Sequence, residues 1–190
     1  FEADKGSNLS EREIERLALL SYGRDLSFTA HLPLRLMLGG KGEERREAVK
    51  IIRRILKQLE PLSPQAFILH LPIVKSVMNT RFVELDTADR CRWQEGCRHS
   101  LGEILSSGME SQLLCLENLG YPFAYAEDLI EEYDLGICLD VGHLALYGLS
   151  LPEFTNRCLH KTRVVHLHGC SKGKDHLPIH NPLPPDYADF

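Results

Sequence analysis

Residues 113–140 read Leu113-Leu114-Cys115-Leu116-Glu117, then Gly120-Tyr121-Pro122, then a helical stretch from about Phe123 to Glu132, then Gly136-Ile137-Cys138-Leu139-Asp140. The two apolar runs are short enough for strands and show no polar alternation. A strand that is apolar throughout is buried on both faces, which implies a parallel sheet covered by helices. The same rhythm extends in both directions. Upstream, Leu26-Ser27-Phe28-Thr29-Ala30-His31 and Ala66-Phe67-Ile68-Leu69-His70 read as strands, stopped at Leu32-Pro33 and Leu71-Pro72. Downstream, Arg163-Val164-Val165-His166-Leu167-His168 is the last clear strand.

Helices fill the intervals. Ser10 and Glu13 form a capping box that opens a helix over 11–22, with Ile14, Leu17 and Leu20 on one face. A second helix covers about 43–60, with Ala48, Ile52, Ile55, Leu56 and Leu59 inward. Its Arg45, Arg46, Arg53, Arg54 and Lys57 read as a solvated face. Residues 73–86 read as a long loop. The helix after it turns Trp93, Cys97, Leu101, Ile104 and Leu105 inward. Ser150 and Glu153 start a last helix that runs to about His160.

Strand–helix alternation fits either an open doubly wound sheet or a closed (β/α)8 barrel. No Gly-x-Gly-x-x-Gly follows a strand, so the dinucleotide-binding version has no support. Five strands are clear, and Phe1-Glu2 reads as the stub of another. A barrel takes eight strands and about 250 residues. The expectation is therefore an α/β protein, one TIM-barrel domain over 1–190, incomplete at both ends and missing its first and last strands.

The composition limits the functional classes. The chain has 190 residues, 43% hydrophobic and 26% charged, as in a folded globular protein. Its apolar runs fall far short of the roughly 20 residues that cross a bilayer. The net charge is −5, and nucleic-acid binding through many phosphates would need a basic surplus. The expectation is no membrane and no nucleic acid as partner. Six cysteines form no Cys-x-x-Cys, and Cys115, Cys138 and Cys158 lie in apolar stretches. They read as core thiols of a reducing, cytoplasmic setting.

The chemistry lies at the strand ends. Successive strands end in His31, His70, Glu117 and Asp140, the last followed by His143. The final strand carries His166 and His168, with Asp175 and His176 in the loop beyond. A lone histidine at a strand end is ordinarily a hydrogen-bonded core or surface residue. Five successive strands ending in His, Glu or Asp is a different matter, because buried ionisable groups cost several kcal/mol unless paired or metal-bound. In a parallel barrel these ends share one mouth, where active sites sit. Imidazoles and carboxylates converging there suit Zn, Mn or Fe, and a carboxylate can bridge two ions. Glu2 faces the same mouth, as a partner for a ligand histidine or a plain strand-end carboxylate.

The series His31, His70, Glu117-Asn118, Asp140-Val141-Gly142-His143, His166-Leu167 and Asp175-His176 resembles the xylose-isomerase-like TIM-barrel superfamily, especially its endonuclease IV branch. That resemblance implies up to three divalent ions gripping a phosphodiester. One would be held by His31, His70 and Glu117. A second would be held by Glu117, Asp140, His166 and an eighth-strand Glu that this chain lacks. A third would be held by His143, Asp175 and His176. The chain departs from the branch in two places. Asp175 and His176 are adjacent where the branch has Asp-x-His, and His168-Gly169 replaces its usual polar pair.

A narrower resemblance runs through Phe1-Glu2-Ala3-Asp4-Lys5-Gly6-Ser7-Asn8-Leu9, His31-Leu32-Pro33-Leu34, Glu117-Asn118-Leu119-Gly120-Tyr121-Pro122-Phe123, Cys138-Leu139-Asp140-Val141-Gly142-His143-Leu144, Val165-His166-Leu167-His168-Gly169 and Lys174-Asp175-His176-Leu177. These strings look like the cobamide-remodelling phosphodiesterase family, CbiR. That family implies metal-dependent hydrolysis of the phosphodiester in the nucleotide loop of a corrinoid, giving cobinamide phosphate and the lower-ligand nucleoside. Glu117, Asp140 and His166 would be catalytic. Lys172, Lys174 and His168 would meet the substrate, although solvated lysines are the simpler reading of the first two. The alternative is a sugar or sugar-phosphate isomerase or epimerase, which typically needs one metal and does not need so many histidines. An apurinic endonuclease and a non-catalytic corrinoid-binding module are further readings.

Overall fold

The computed structural model describes residues 9–73 and 82–178. Phe1-Glu2, with the expected role for Glu2, lies outside them, as does most of the 73–86 loop. The elements run in the order α1 (Glu11–Ser21), β1 (Thr29–His31), α2 (Gly42–Leu59), β2 (Ala66–Leu69), α3 (Thr87–Leu105), β3 (Leu114–Glu117), α4 (Ala124–Tyr133) and β4 (Gly136–Asp140). Then come α5 (Val141–Tyr147), α6 (Leu151–Cys158), β5 (Thr162–His166), β6 (Gly169–Ser171) and β7 (Lys174–Leu177).

β1 to β5 form one parallel sheet whose spatial order equals their chain order. A doubly wound sheet needs a point where that order reverses. None occurs among these five strands, so the sheet is a half-barrel. The central strands β2, β3 and β4 are buried along their whole length, as their continuous apolar sequence requires. β1 and β5 are the edges and are partly exposed.

Period-2 alternation divides the side chains. Outward ones such as Phe67, Leu69, Leu116 and Leu139 join the helices in the main core. Inward ones form a small second cluster of Ala66, Ile68, Cys115 and Cys138, with Val164 against it. Two residues further along the same inward rows stand His70, Glu117, Asp140 and His166. The polar ring thus rests on a buried apolar floor, and each strand contributes its last inward position.

One irregularity sets the alignment of that ring. Ile137 pairs with Thr162, but Cys138 pairs with Val164, so Arg163 is an extra residue in β5. A bulge of one residue exchanges the two faces of a strand. Downstream of it, Asp140 pairs with His166 and the imidazole faces inward.

Local chemistry agrees with the helix readings. Ser10 and Glu13 make the reciprocal capping box of α1. Asp86 caps α3 and Ser150 caps α6. Trp93, Cys97, Leu101 and Ile104 are buried as expected, with Leu105 packed at the margin. Of the α2 cations, Arg45 is not simply solvated: it is half-buried and pairs with Glu103 at 2.8 Å.

The stretch after Asp140 is a helix, α5, which the sequence reading did not identify. The expected loop after β5 is a two-stranded antiparallel hairpin, β6–β7, turned by Lys172 and Gly173 at φ 51° and 74°. Successive positive φ values are the signature of a tight hairpin turn. Asp175 and His176 are therefore strand residues, Lys174 is one too, and Lys172 is at the tip.

Among the described residues, no helix is long and apolar enough to cross a membrane. All six cysteines are free.

Candidate metal centre

Glu117 is the hub. It is 3% exposed, and its two oxygens face four imidazoles from four elements. Oε2 lies 2.9 Å from His70 Nε2 and 3.4 Å from both His31 Nε2 and His166 Nδ1. Oε1 lies 3.4 Å from His143 Nδ1. Burial alone would raise its pKa, but hydrogen bonds from His166, His31 and His70 outweigh that and hold the carboxyl well below the usual carboxylate range.

Asp140 is the second hub and is fully buried. It ends β4 and caps α5, its Oδ1 accepting from the His143 N–H at 2.7 Å. Its oxygens also face His168 Nε2 at 3.1 and 3.2 Å, and His143 and His166 at 3.7 Å. The Asp140 carboxylate, then the Cys138 thiol and Glu117, favour the protonated form of His166 and push its pKa up to about 12. Buried Cys138 itself is pushed up to about 11, so a neutral thiol lies under the ring.

The rings fall into two groups whose donor atoms are close enough to share an ion. One is His31, Glu117 and His166; the other is Asp140, His143, His168 and His176. His70 joins the first through Glu117. Asp175 reaches the second, with Oδ2 3.6 Å from His143 Nε2 and 3.3 Å from His176 Nδ1. His168 and His176 stack at 4.3 Å. His176 sits at φ 52°, a left-handed conformation that non-glycine residues seldom adopt. The hairpin holds it there against α5.

Neighbouring backbone carbonyls orient two of the rings. His143 Nδ1 lies 3.0 Å from Asn118 O, and His31 Nδ1 lies 3.1 Å from Leu32 O. A carbonyl only accepts, so each Nδ1 donates to it, while Nε2 of His31 faces Glu117 and Nε2 of His143 faces Asp175. Asn118 has a further role. Its Oδ1 accepts from Asp140 N at 2.7 Å, and its Nδ2 donates to Asp140 O at 3.0 Å. It thereby locks the end of β4 to the end of β3.

The structure thus brings together His31, His70, Glu117, Asp140, His143, His166, Asp175 and His176. His168, expected at the substrate, lies against Asp140. Lys172 and Lys174 are exposed on the hairpin. Sequence reading misses two participants. Asn118 stands beside Glu117 in the sequence motif with no role of its own. Tyr147 is half-buried with its ring 6.5 Å from that of His143, and burial followed by Asp175 and Asp140 raises its phenol pKa. The i, i+4 spacing of His143 and Tyr147 on one short helix is the available signal.

Imidazole nitrogens and carboxylate oxygens, converging in two partly buried groups on one rim, form a donor set that fits zinc, manganese or iron. The residues present therefore fit divalent metal, whose identity the donor set leaves open.

No model of a known protein family matches the chain, and no curated protein matches it. Solved structures do. A D-tagatose 3-epimerase-like protein superposes with TM-score 0.70 and 22% identity, over 94% of this chain and 70% of its own. A xylose isomerase domain protein from Planctomyces limnophilus gives 0.63 and 15%, over 88% and 63%. Endonuclease IV from Thermus thermophilus gives 0.58 and 22%, over 85% and 60%. The fold is that of the xylose-isomerase-like barrels. Against these three, the chain spans between 60% and 70% of the neighbour's length.

Proposed function

We propose that the protein is a metal-dependent phosphodiesterase that hydrolyses the nucleotide-loop phosphodiester of cobamides, yielding cobinamide phosphate and the lower-ligand nucleoside. The observation that carries the metal-dependent hydrolase reading is the division of the ring into two donor groups on one rim. His31, His70, Glu117 and His166 would hold one ion, and Asp140, His143, Asp175 and His176 another. A divalent ion in such a site supplies Lewis acidity and lowers the pKa of water. A single-ion isomerase leaves one of these groups unused.

The corrinoid rests on the sequence resemblance, which spans most of the chain. A small-molecule corrinoid, with neither nucleic acid nor membrane as partner, also accords with the acidic balance, and the free thiols accord with a reducing cytoplasm. Lys172 and Lys174 on the hairpin would approach the phosphate from the solvent side. A second reading, a sugar isomerase or epimerase, is supported by the names of the D-tagatose 3-epimerase-like protein and the xylose isomerase domain protein.

One experiment separates the two. The intact protein is incubated with a cobamide and, in parallel, with ketohexoses, each with and without chelator, and products are followed by mass and by chromatography. Chelator-sensitive release of the nucleoside is the expected result. Epimerised sugar with no nucleoside selects the second reading. Neither product refutes both.

A further inference from the structure

Both ring nitrogens of His168 are engaged within the protein. Its Nδ1 lies 3.0 Å from the backbone N of His176. A backbone N–H can only donate, so the Nδ1 lone pair is occupied and the ring proton resides on Nε2. Nε2 faces both oxygens of Asp140, at 3.1 and 3.2 Å. Nδ1 also lies 3.2 Å from Gly169 O, but a nitrogen that accepts from an amide has no proton to give. The contrast with His31 and His143 is direct. In those rings Nδ1 faces a carbonyl oxygen, whereas the Nδ1 of His168 accepts from an amide N–H.

The fold makes room for this arrangement. The His168 ring lies over the first turn of α5, and a Cβ at position 142 would overlap it. Gly142 is thus required by a side chain 26 positions downstream. The ring also stacks on His176 and is largely buried.

We propose that His168 is a positioning residue. It donates its Nε2 proton to Asp140, fixes that carboxylate for the ion, and is neither a metal ligand nor a substrate contact. This rests on the metal-centre reading but not on the identity of the substrate.

The test uses the intact protein, stripped by chelator and titrated with Mn²⁺ alone, reading the number of ions bound and their affinity. His168→Ala should bind as many ions as wild type, with one of them about 10- to 100-fold weaker, the usual effect of removing the hydrogen-bond partner of a ligand. His168→Gln, whose Nε2 can still donate to Asp140, should recover most of the affinity. Gly142→Ala, which alters no donor atom, should weaken the same ion by displacing the ring. Loss of one ion per chain in His168→Ala would make His168 a ligand and overturn the proposal. Unchanged affinity, or a Gln variant no better than Ala, would overturn it as well. A wild type that binds no Mn²⁺ would remove the metal centre and this proposal together.

Discussion

Replacing Glu117 by Gln preserves the shape of the hub and removes the charge that four imidazoles share. The carboxylate is 2.9 Å from His70, 3.4 Å from the other three, and almost wholly out of solvent. Removing one partner of a buried charged network costs about 3–5 kcal/mol. In a domain of this size each kcal/mol shifts Tm by about 2–4 °C. In chelator, the variant should therefore melt about 6–20 °C below wild type.

The pH dependence has a definite sign. The Glu117 carboxyl is held below its ordinary 4.5, so its contribution is present above that value and is lost as pH falls. His166 is raised from 6.5 to about 12, so its contribution is complete below 6.5 and is lost as pH rises toward 12. The gap between the proteins should be widest between about pH 5 and 6.5 and should narrow on both sides. Differential scanning calorimetry of the intact protein at pH 3.5, 5.5 and 9 reads this out. A gap under about 2 °C at pH 5.5, or one that widens toward pH 3.5, would refute the assignment of Glu117 as the charged hub.

The same proton governs metal uptake. An ion on His166 must displace its proton, so Mn²⁺ affinity should rise with pH, by up to about tenfold per unit for each proton released. Titrations at pH 6, 7 and 8 would show it, and a flat profile would contradict the protonated ring. Asn118→Ala should destabilise the protein by about 2–4 kcal/mol, because it leaves the buried N–H and C=O of Asp140 without partners. Denaturant unfolding measures that loss, and a cost under about 0.5 kcal/mol would show that the side chain does not lock the two strands.

Much of the ring is legible in the sequence because a parallel strand carries its own end-marker. In Phe67-Ile68-Leu69-His70 and Cys138-Leu139-Asp140 the apolar run is what burial on both faces demands, and the first polar residue is where the rim begins. Alternation then makes the inward partner of Glu117 the residue two before it, Cys115. Other parts have no such marker. α5 is seven residues long, too short for helical periodicity to stand out. β6 has three residues, and its hairpin is signalled only by Gly173. Leu26-Ser27-Phe28 reads like strand, but β1 pairs only over Thr29–His31 because β2 begins opposite Thr29. The function of His168 depends on an absent side chain at Gly142 and on an amide across the hairpin, neither of which a linear reading displays.

The extra residue at Arg163 has a consequence for comparing this chain with its kin. Aligning β5 without a gap, by matching the apolar positions of β4 step for step, would put Val165 in the column of the imidazole. His166 would then be scored as pointing away from the rim. Any profile meant to detect relatives of this protein should therefore anchor on the doublet Asp140 and His166 and allow one unmatched residue upstream of Val164.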